Sequence, residues 1–191
     1  MSAPAKTSER AICEAVRNLL ETGGEASLSM QAVAQAVGIR APSLYKRFKS
    51  REDLLCAAAR DALQELAELL RHPPNDAQTY ENLERMAHLY RKFAKKNPRT
   101  YALIFSSETM AAREDLLAAR QAAAEPLFVL LAHAVGKDTA LPAARLLVSY
   151  LHGFLSMELA KTFRFGGNIQ DAFHFGLTKV LDSLLASKKL E

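Results

Sequence analysis

The sequence predicts an all-α protein of about nine helices, and two observations carry that prediction. Every strongly patterned segment repeats its apolar residues three or four positions apart, which is the spacing of one helix face, and no segment alternates convincingly as a strand does. Helix-breaking pairs separate these segments, as at Gly23-Gly24, Pro73-Pro74 and Gly166-Gly167.

Length and composition allow one sizeable domain or two small ones. The chain has 191 residues, of which 49% are apolar and 24% charged. No apolar run approaches the ~20 residues that a membrane span needs, and residues 1–10 lack the apolar stretch of a signal peptide. We therefore expect a cytoplasmic protein with no membrane partner. Cys13 and Cys56 are expected to be core residues rather than a disulfide.

Four helices are predicted in the first 70 residues, each from its own start signal. Thr7 or Ser8 can cap the first, and Ser29 can cap the second. Pro42 fits the first turn of a short third helix, because an amide there would be unpaired anyway. Ser50 begins a serine-x-x-acid capping box that opens a long fourth helix.

Five more helices are predicted in the rest of the chain, with less certain ends. They cover residues 76–96, a short element at 101–105, then 110–135, 142–165 and 169–186. Pro126 should kink or split the seventh helix. Pro142 is expected to start the eighth.

The second and third helices are joined by only about four residues, Gly38 to Ala41. That length and glycine placement are typical of a DNA-binding helix-turn-helix. Small residues open the third helix, so that its start is slim enough for the major groove. If Leu44 and Phe48 face inward, the donors Lys46 and Arg47 face outward.

The net charge of +4 is a weak indication, but its distribution supports this interpretation. Residues 38–51 contain no acid and five basic residues, namely Arg40, Lys46, Arg47, Lys49 and Arg51. A local basic patch is the sequence signature of a nucleic-acid-binding face. A solvated, positively charged turn is the alternative.

On these residues the chain resembles the tetracycline-repressor (TetR) family. The matching positions are Ser29, Gln31, Ala34, Gly38, Pro42, Leu44-Tyr45, Phe48 and the run from Ser50 to Leu55. Residues 87–105 and 151–159 also resemble one C-terminal subgroup of the family, which is marked by a Trp-His-Gly triplet. Here the triplet reads Leu151-His152-Gly153, so the tryptophan is missing.

The resemblance implies a helix-turn-helix DNA-binding domain in residues 1–55 and a helical effector-binding and dimerisation domain in residues 56–191. It implies a homodimer through the last two helices, bound to a palindromic operator in double-stranded DNA. The residues it places on DNA are Ser29, Gln31, Arg40, Ala41, Ser43, Tyr45, Lys46, Arg47 and Arg51.

Each contact has an alternative reading. Ser29 can be a plain helix cap, Tyr45 can pack partly against the first helix, and Arg51 can be a solvated side chain. Arg40 can read a base or hold a phosphate. A second basic cluster, Arg91, Lys92, Lys95, Lys96 and Arg99, is interpreted as a solvated helix face rather than as another nucleic-acid patch.

The family also implies a cavity for a small effector, which its apolar lining suggests is hydrophobic. Candidate lining residues are Tyr90, Phe93, Tyr101, Phe105, Met110, Phe128, Tyr150, His152, Phe154 and Met157. Aromatic and methionine side chains at helical spacing are more often core than pocket, and that alternative applies to each of them.

No pattern of catalysis or metal binding is found. The five histidines form no H-E-x-x-H pair and no Cys/His cluster, although Asp171 and His174 have helix-face spacing. There is no G-x-S-x-G elbow and no phosphate-binding glycine loop. We expect no catalytic residue, metal or cofactor. The hypothesis is a repressor released by a ligand; the alternatives are a ligand-blind DNA-binding protein and a helical carrier or enzyme.

Overall fold

The computed structural model describes residues 7–71, 78–106 and 113–186, and within these ranges every regular element is helical. The α-helices are α1 (Glu9–Gly23), α2 (Met30–Ala36), α3 (Ala41–Tyr45), α4 (Arg51–Leu70), α5 (Thr79–Lys96), α6 (Pro98–Phe105), α7 (Glu114–Val135), α8 (Lys137–Leu159) and α9 (Ile169–Ala186). The all-α prediction is confirmed. Among the described helices, none combines the length and the apolarity that crossing a membrane requires.

Side-chain caps fix the starts of α1 and α2 where the sequence predicts them. The Oγ of Ser8 accepts a hydrogen bond from the amide of Ala11 at 3.1 Å. The Oγ of Ser29 accepts one from the amide of Ala32 at 3.0 Å. First-turn amides have no partner inside the helix, so each cap satisfies a donor that is otherwise unpaired.

The predicted capping box at α4 is present. The amide of Asp53 donates to Ser50 Oγ at 3.1 Å, and the carboxylate of Asp53 accepts from the amide of Lys49 at 2.9 Å. The acid thus reaches back to the residue just before the cap. This exchange sets the direction in which the chain leaves α3 and enters α4.

The expected bounds of α8 are wrong: it begins at Lys137 rather than Pro142 and ends at Leu159 rather than residue 165. Pro126 lies inside α7 and does not split it. The additional turn of α8 buries Ala140 completely, and the amide of Ala140 bonds to Gly136 O at 3.0 Å. Burial and ordinary helix bonding before Pro142 thus outweigh the one hydrogen bond that its missing amide removes.

The contacts within the chain define two compact units. The first comprises Met1–Glu65 with Asn97–Arg120, and the second comprises Leu66–Lys96 with Gln121–Glu191. In the first, α1 packs against α2 and α6, and its core includes Ile12, Val16 and Leu44. In the second, α5, α8 and α9 pack against one another around Phe173.

The two cysteines are buried and unpaired, as expected. Burial, with the nearby carboxylates of Asp61 and Glu9, raises the pKa of Cys13 to about 11. A thiol with so high a pKa remains protonated at neutral pH, so it is a poor nucleophile and a poor metal ligand. Cys13 therefore serves as a small core residue.

In the first unit, α6 is bound to the end of α1 through a pair of charged side chains. The carboxylate of Glu21 accepts hydrogen bonds from the amides of Arg99 and Thr100 at 3.2 and 2.8 Å. The guanidinium of Arg99 donates to the carbonyls of Leu20 and Glu21 at 3.1 and 2.7 Å. Each helix end thus has its unpaired backbone groups satisfied by the other.

Candidate nucleic-acid interface

The turn between α2 and α3 depends on one glycine. Gly38 has φ +68°, a left-handed conformation that residues with a β-carbon adopt at a cost. Its amide donates to Gln35 O at 3.1 Å, and the amide of Ile39 donates to Ala34 O at 2.9 Å. These bonds end α2 and turn the chain directly into α3.

The inner face of this pair of helices is apolar and dry. Val33 and Leu44 are fully buried, and Ala34 and Phe48 are nearly so. With Leu44 and Phe48 inside, the opposite face of α3 and of the turn after it must point outward. Lys46 and Arg47 are exposed there, as the sequence predicts, and Tyr45 is 53% exposed.

An open cleft of about 740 Å³ is lined by α2, the turn and α3. Four of the predicted DNA-contact residues line it: Gln31, Arg40, Ala41 and Tyr45. Gln35 also lines the cleft and is exposed, but it was not among the predicted contacts. It lies one helical turn after Gln31, so helix periodicity alone could have identified it.

Two of the predicted contact arginines also have partners inside the protein. Arg47 Nη1 donates to the carbonyl of Thr7 at 2.6 Å, next to the start of α1. Arg51 donates to the carbonyls of Leu28 and Glu25 at 3.1 and 2.9 Å, and to the Glu25 carboxylate at 3.2 Å. Arg51 therefore braces the segment that leads into α2.

Two acidic groups close to the basic residues, Glu25 and Asp53, are paired. Glu25 pairs with Arg51, and Asp53 pairs with Arg113 at 3.1 Å. The hydrogen bond from Arg113 and that from the Lys49 amide hold the pKa of Asp53 below its ordinary value. Neither acid is paired with Arg40 or Lys46, whose exposed charges form a local basic patch.

The other predicted contacts are small or polar residues, most of which are exposed. Ser29, Gln31 and Ser43 are exposed, and Ala41 is half-buried. The hydroxyl of Ser29 caps α2, which is the plain role considered for it.

The candidate effector residues are divided between the two units. Tyr101 and Phe105 lie on α6 in the first unit, with ring centres 5.1 Å apart. The described candidates of the second unit are Tyr90, Phe93, Phe128, Tyr150, His152, Phe154 and Met157. Met110 lies outside the described residues.

Two of the second-unit candidates contribute to an aromatic cluster. Phe154 lies 5.2 Å from Phe173 and 4.9 Å from Phe163, and Tyr150 lies 6.0 Å from Phe154. Because Phe173 is fully buried, this side of the cluster belongs to the core. His152, on the same helix, is partly buried, which lowers its pKa below the ordinary value.

The second basic cluster is the expected solvated face except at one residue: Lys92, Lys95, Lys96 and Arg99 are exposed, but Arg91 is buried. Arg91 is 5% exposed and pairs with Glu158, which also accepts a hydrogen bond from Lys95. Arg99 binds the end of α1. Lys92 and Lys96 are exposed. Charge alone predicted a surface position, but an acid from another helix allows Arg91 to be buried.

The geometry defines a class of protein: a helix-turn-helix protein whose second helix is flanked by exposed basic residues. Residues 12–58 match the sequence model described as "Bacterial regulatory proteins, tetR family", and residues 83–180 match "Tetracyclin repressor-like, C-terminal domain". The chain belongs to the tetracycline-repressor family. It is a DNA-binding transcriptional regulator.

Known proteins agree with this assignment. An HTH-type transcriptional regulator of Mycobacterium tuberculosis, Rv0681, is 29% identical over 157 residues, which are 82% of this chain and 72% of that protein. BioQ with its double-stranded DNA operator has a TM-score of 0.67 at 21% identity, covering 95% of this chain and 99% of that one. A TetR variant of Acinetobacter baumannii with minocycline has a TM-score of 0.70 at 21% identity, covering 93% and 96%.

Proposed function

We propose that this regulator is a homodimeric repressor that a small hydrophobic effector releases from a palindromic operator. The observation that carries the proposal is the exposed basic surface of the turn and of α3, held outward by buried Leu44 and Phe48. A regulator of this kind acts where the chromosomal DNA is, which in a bacterial cell is the cytoplasm. Its function is binding rather than catalysis.

For DNA recognition, we infer that α3 enters the major groove with residues 1–55 as the DNA-binding domain. Arg40 and Lys46 are exposed and able to reach base edges or phosphates. The DNA backbone is contacted by the hydroxyl of Tyr45 and by the side chains of Ser29, Gln31 and Ser43. Arg47 and Arg51 contact phosphate while they keep their internal partners, and Ala41 keeps the start of α3 slim.

For dimerisation, exposed apolar side chains on α8 and α9 support an interface through these last two helices. Leu146 and Met157 of α8 are 48% and 47% exposed, and Ile169 and Phe175 of α9 are 37% and 67% exposed. Gly153 is exposed on the same helix as Leu146, where it permits close approach of another backbone. Large apolar groups left in water at such positions favour association with a second copy.

For release, the effector binds within residues 56–191, among the aromatic candidates given above. The likeness to a solved TetR variant with minocycline supports a small-molecule ligand. α4 is a single helix of 20 residues that belongs to both units, so a tilt of α4 can transmit the ligand's effect. Coupling is reciprocal: an effector that weakens operator binding is itself bound more weakly on the operator.

The test begins with selection of random duplexes on the purified protein, followed by anisotropy titration of the selected duplex at several salt concentrations. The proposal predicts a palindromic duplex with two half-sites, bound as one dimer, and an affinity that falls steeply with salt. That duplex then serves to screen apolar compounds for release.

Three results would contradict the proposal in whole or in part. Equal, salt-sensitive binding to every duplex indicates an architectural, ligand-blind DNA-binding protein. No binding to any duplex indicates that the helical body acts as a carrier or enzyme, with residues 1–55 docking a partner. A selected duplex that no apolar compound releases overturns effector release alone.

A further inference from the structure

α5 and α9 bring together three side chains of types that bind transition metals. Glu84 and His88 lie one helical turn apart on α5, and His174 lies on α9. Each offers one ligand atom, and these atoms all lie within 4.8 Å of one another. The two helices pack against each other in the second unit, so both sides of the cluster belong to one compact body.

The separation of two of the ligand atoms fits a shared ion. His174 Nδ1 lies 3.5 Å from Glu84 Oε1. A direct N–H···O hydrogen bond usually measures about 2.7–3.2 Å. Two ligands of a tetrahedral Zn²⁺, each about 2.0–2.1 Å from the metal, lie about 3.4 Å from one another. The observed distance is close to an edge of a coordination tetrahedron, and it also lies within the range of an ion pair.

Packing around the cluster fixes one ligand and leaves another accessible. The ring of His88 meets the fully buried ring of Phe173 nearly edge to face, with centres 5.6 Å apart, so the core orients this imidazole. The side chain of His174 is 58% exposed and that of Glu84 is 30% exposed. An ion can therefore enter from solvent and still meet a partly preorganised site.

One buried positive charge on the same helix, that of Arg91, is already compensated. Arg91 lies one turn after His88 on α5 and forms an ion pair with Glu158 at 2.7 Å. Two imidazoles and one carboxylate are a ligand set that suits zinc and similar metals, whereas calcium and magnesium prefer oxygen ligands alone.

We propose that Glu84, His88 and His174 bind a divalent transition metal of the zinc class. The ion links α9 to α5 within one chain. Three protein ligands leave a fourth position of the tetrahedron, which a water molecule fills. None of its three ligands is among the predicted DNA contacts or the effector candidates, although His88 and two of those candidates contact the same ring, that of Phe173.

The test uses the purified full chain without a histidine tag. Zn²⁺ alone is titrated in competition with a chromophoric chelator, and Co²⁺ is added separately to record the visible spectrum of the bound metal. We expect one ion per chain and a Co²⁺ spectrum typical of tetrahedral coordination. Because Zn²⁺ binds the folded state, it should also raise the unfolding temperature.

Substitutions identify which side chains bind the ion. His174→Ala and Glu84→Gln are the principal variants, because both side chains are partly exposed and the chain should fold without them. Each should lower the Zn²⁺ affinity at least about tenfold, since loss of even outer-shell partners costs this much, and each should reduce the thermal shift. His133→Ala, at an exposed histidine of α7, is the matched control and should keep wild-type affinity.

Two outcomes overturn the proposal. One is a wild-type chain that competes for no Zn²⁺ and shows no thermal shift. The other is a Zn²⁺ affinity that is equal in the wild type, His174→Ala and Glu84→Gln, because the ion then binds elsewhere on the chain.

Discussion

Arg91 and Glu158 form an ion pair in which only 6% and 9% of the two side chains are exposed. Arg91 Nε and Nη2 donate to the two carboxylate oxygens at 2.8 and 2.7 Å, and Lys95 donates to one of them at 3.0 Å. The guanidinium carbon lies 4.4 Å from the ring centre of Phe173. One compensated charge pair thus joins α5, α8 and α9 in the second unit.

The first prediction concerns this ion pair. Arg91→Ala leaves Glu158 buried with only Lys95 for compensation. Burial by itself raises the pKa of Glu158, and the hydrogen bonds from Arg91 and Lys95 outweigh it to hold the pKa below its ordinary value. Removing one partner of such a pair should lower the free energy of unfolding by about 3 kcal/mol, measured by urea denaturation at a fixed protein concentration.

The control is Arg71→Ala, which breaks an exposed pair with Glu68 and should cost less than about 1 kcal/mol. The double variant Arg91→Met with Glu158→Met should recover most of the stability, since an apolar pair has no charge to desolvate. Equal losses for Arg91→Ala and Arg71→Ala would show that the buried pair is energetically no different from a surface one.

The second prediction is that Gly176→Ala is destabilising, although alanine is the better helix former. A β-carbon at Gly176 would lie 2.5 Å from the Tyr150 hydroxyl oxygen and under 3 Å from two ring carbons. That hydroxyl donates to Phe173 O at 2.7 Å, which holds the ring against α9. We expect a loss of about 1–3 kcal/mol in urea denaturation, as for other overpacked sites.

A double-mutant cycle isolates the cause of that loss. In a Tyr150→Ala background the ring is gone, so Gly176→Ala should become neutral or stabilise by up to about 1 kcal/mol. The same loss in both backgrounds would mean that contact with Tyr150 is not the reason.

The third prediction concerns pH. Burial lowers the pKa of His152 below its ordinary 6.5, so the folded state disfavours the protonated form. Below pH 6.5 the unfolded chain binds the proton more readily, and stability should fall as the pH decreases from 6.5 through the folded pKa. His152→Asn should flatten this part of the profile of urea midpoint against pH. Parallel profiles for variant and wild type would contradict it.

Much of the fold could be predicted because its signals are local. Three helix starts are marked by a serine whose side chain accepts a hydrogen bond from the amide three residues later, namely Ser8, Ser29 and Ser50. The turn after α2 is marked by the positive φ of Gly38. The predicted start of α8 at Pro142 was wrong, because the burial of Ala140 is a tertiary contact. This contact extends the helix to residues before the one that a local rule favours.

Of the candidate sites, too, the one formed by a local segment could be predicted and the one formed by tertiary packing could not. The helix-turn-helix face follows from one short segment, so Tyr45 and Lys46 could be placed from spacing alone. The metal site could not be predicted, since only the packing of α5 against α9 brings His174 to Glu84 and His88. The burial of Arg91 was also missed, because Glu158 is 67 residues away in sequence.

The central claim is that the exposed face of α3 binds DNA, and operator affinity in matched variants tests it most directly. Tyr45→Ala and Lys46→Ala remove exposed side chains, so both proteins should fold, as circular dichroism can verify. Lys92→Ala removes an equally exposed lysine on α5 and is the control. Affinity for the selected duplex is measured by anisotropy at several salt concentrations.

We predict at least about tenfold weaker binding for Tyr45→Ala and for Lys46→Ala, and unchanged binding for Lys92→Ala. If Lys46 holds a phosphate, its loss should also reduce the slope of log affinity against log salt by about one. Wild-type affinity in both folded variants, Tyr45→Ala and Lys46→Ala, or an equal loss in Lys92→Ala, would contradict the account and place the DNA-binding surface elsewhere on the chain.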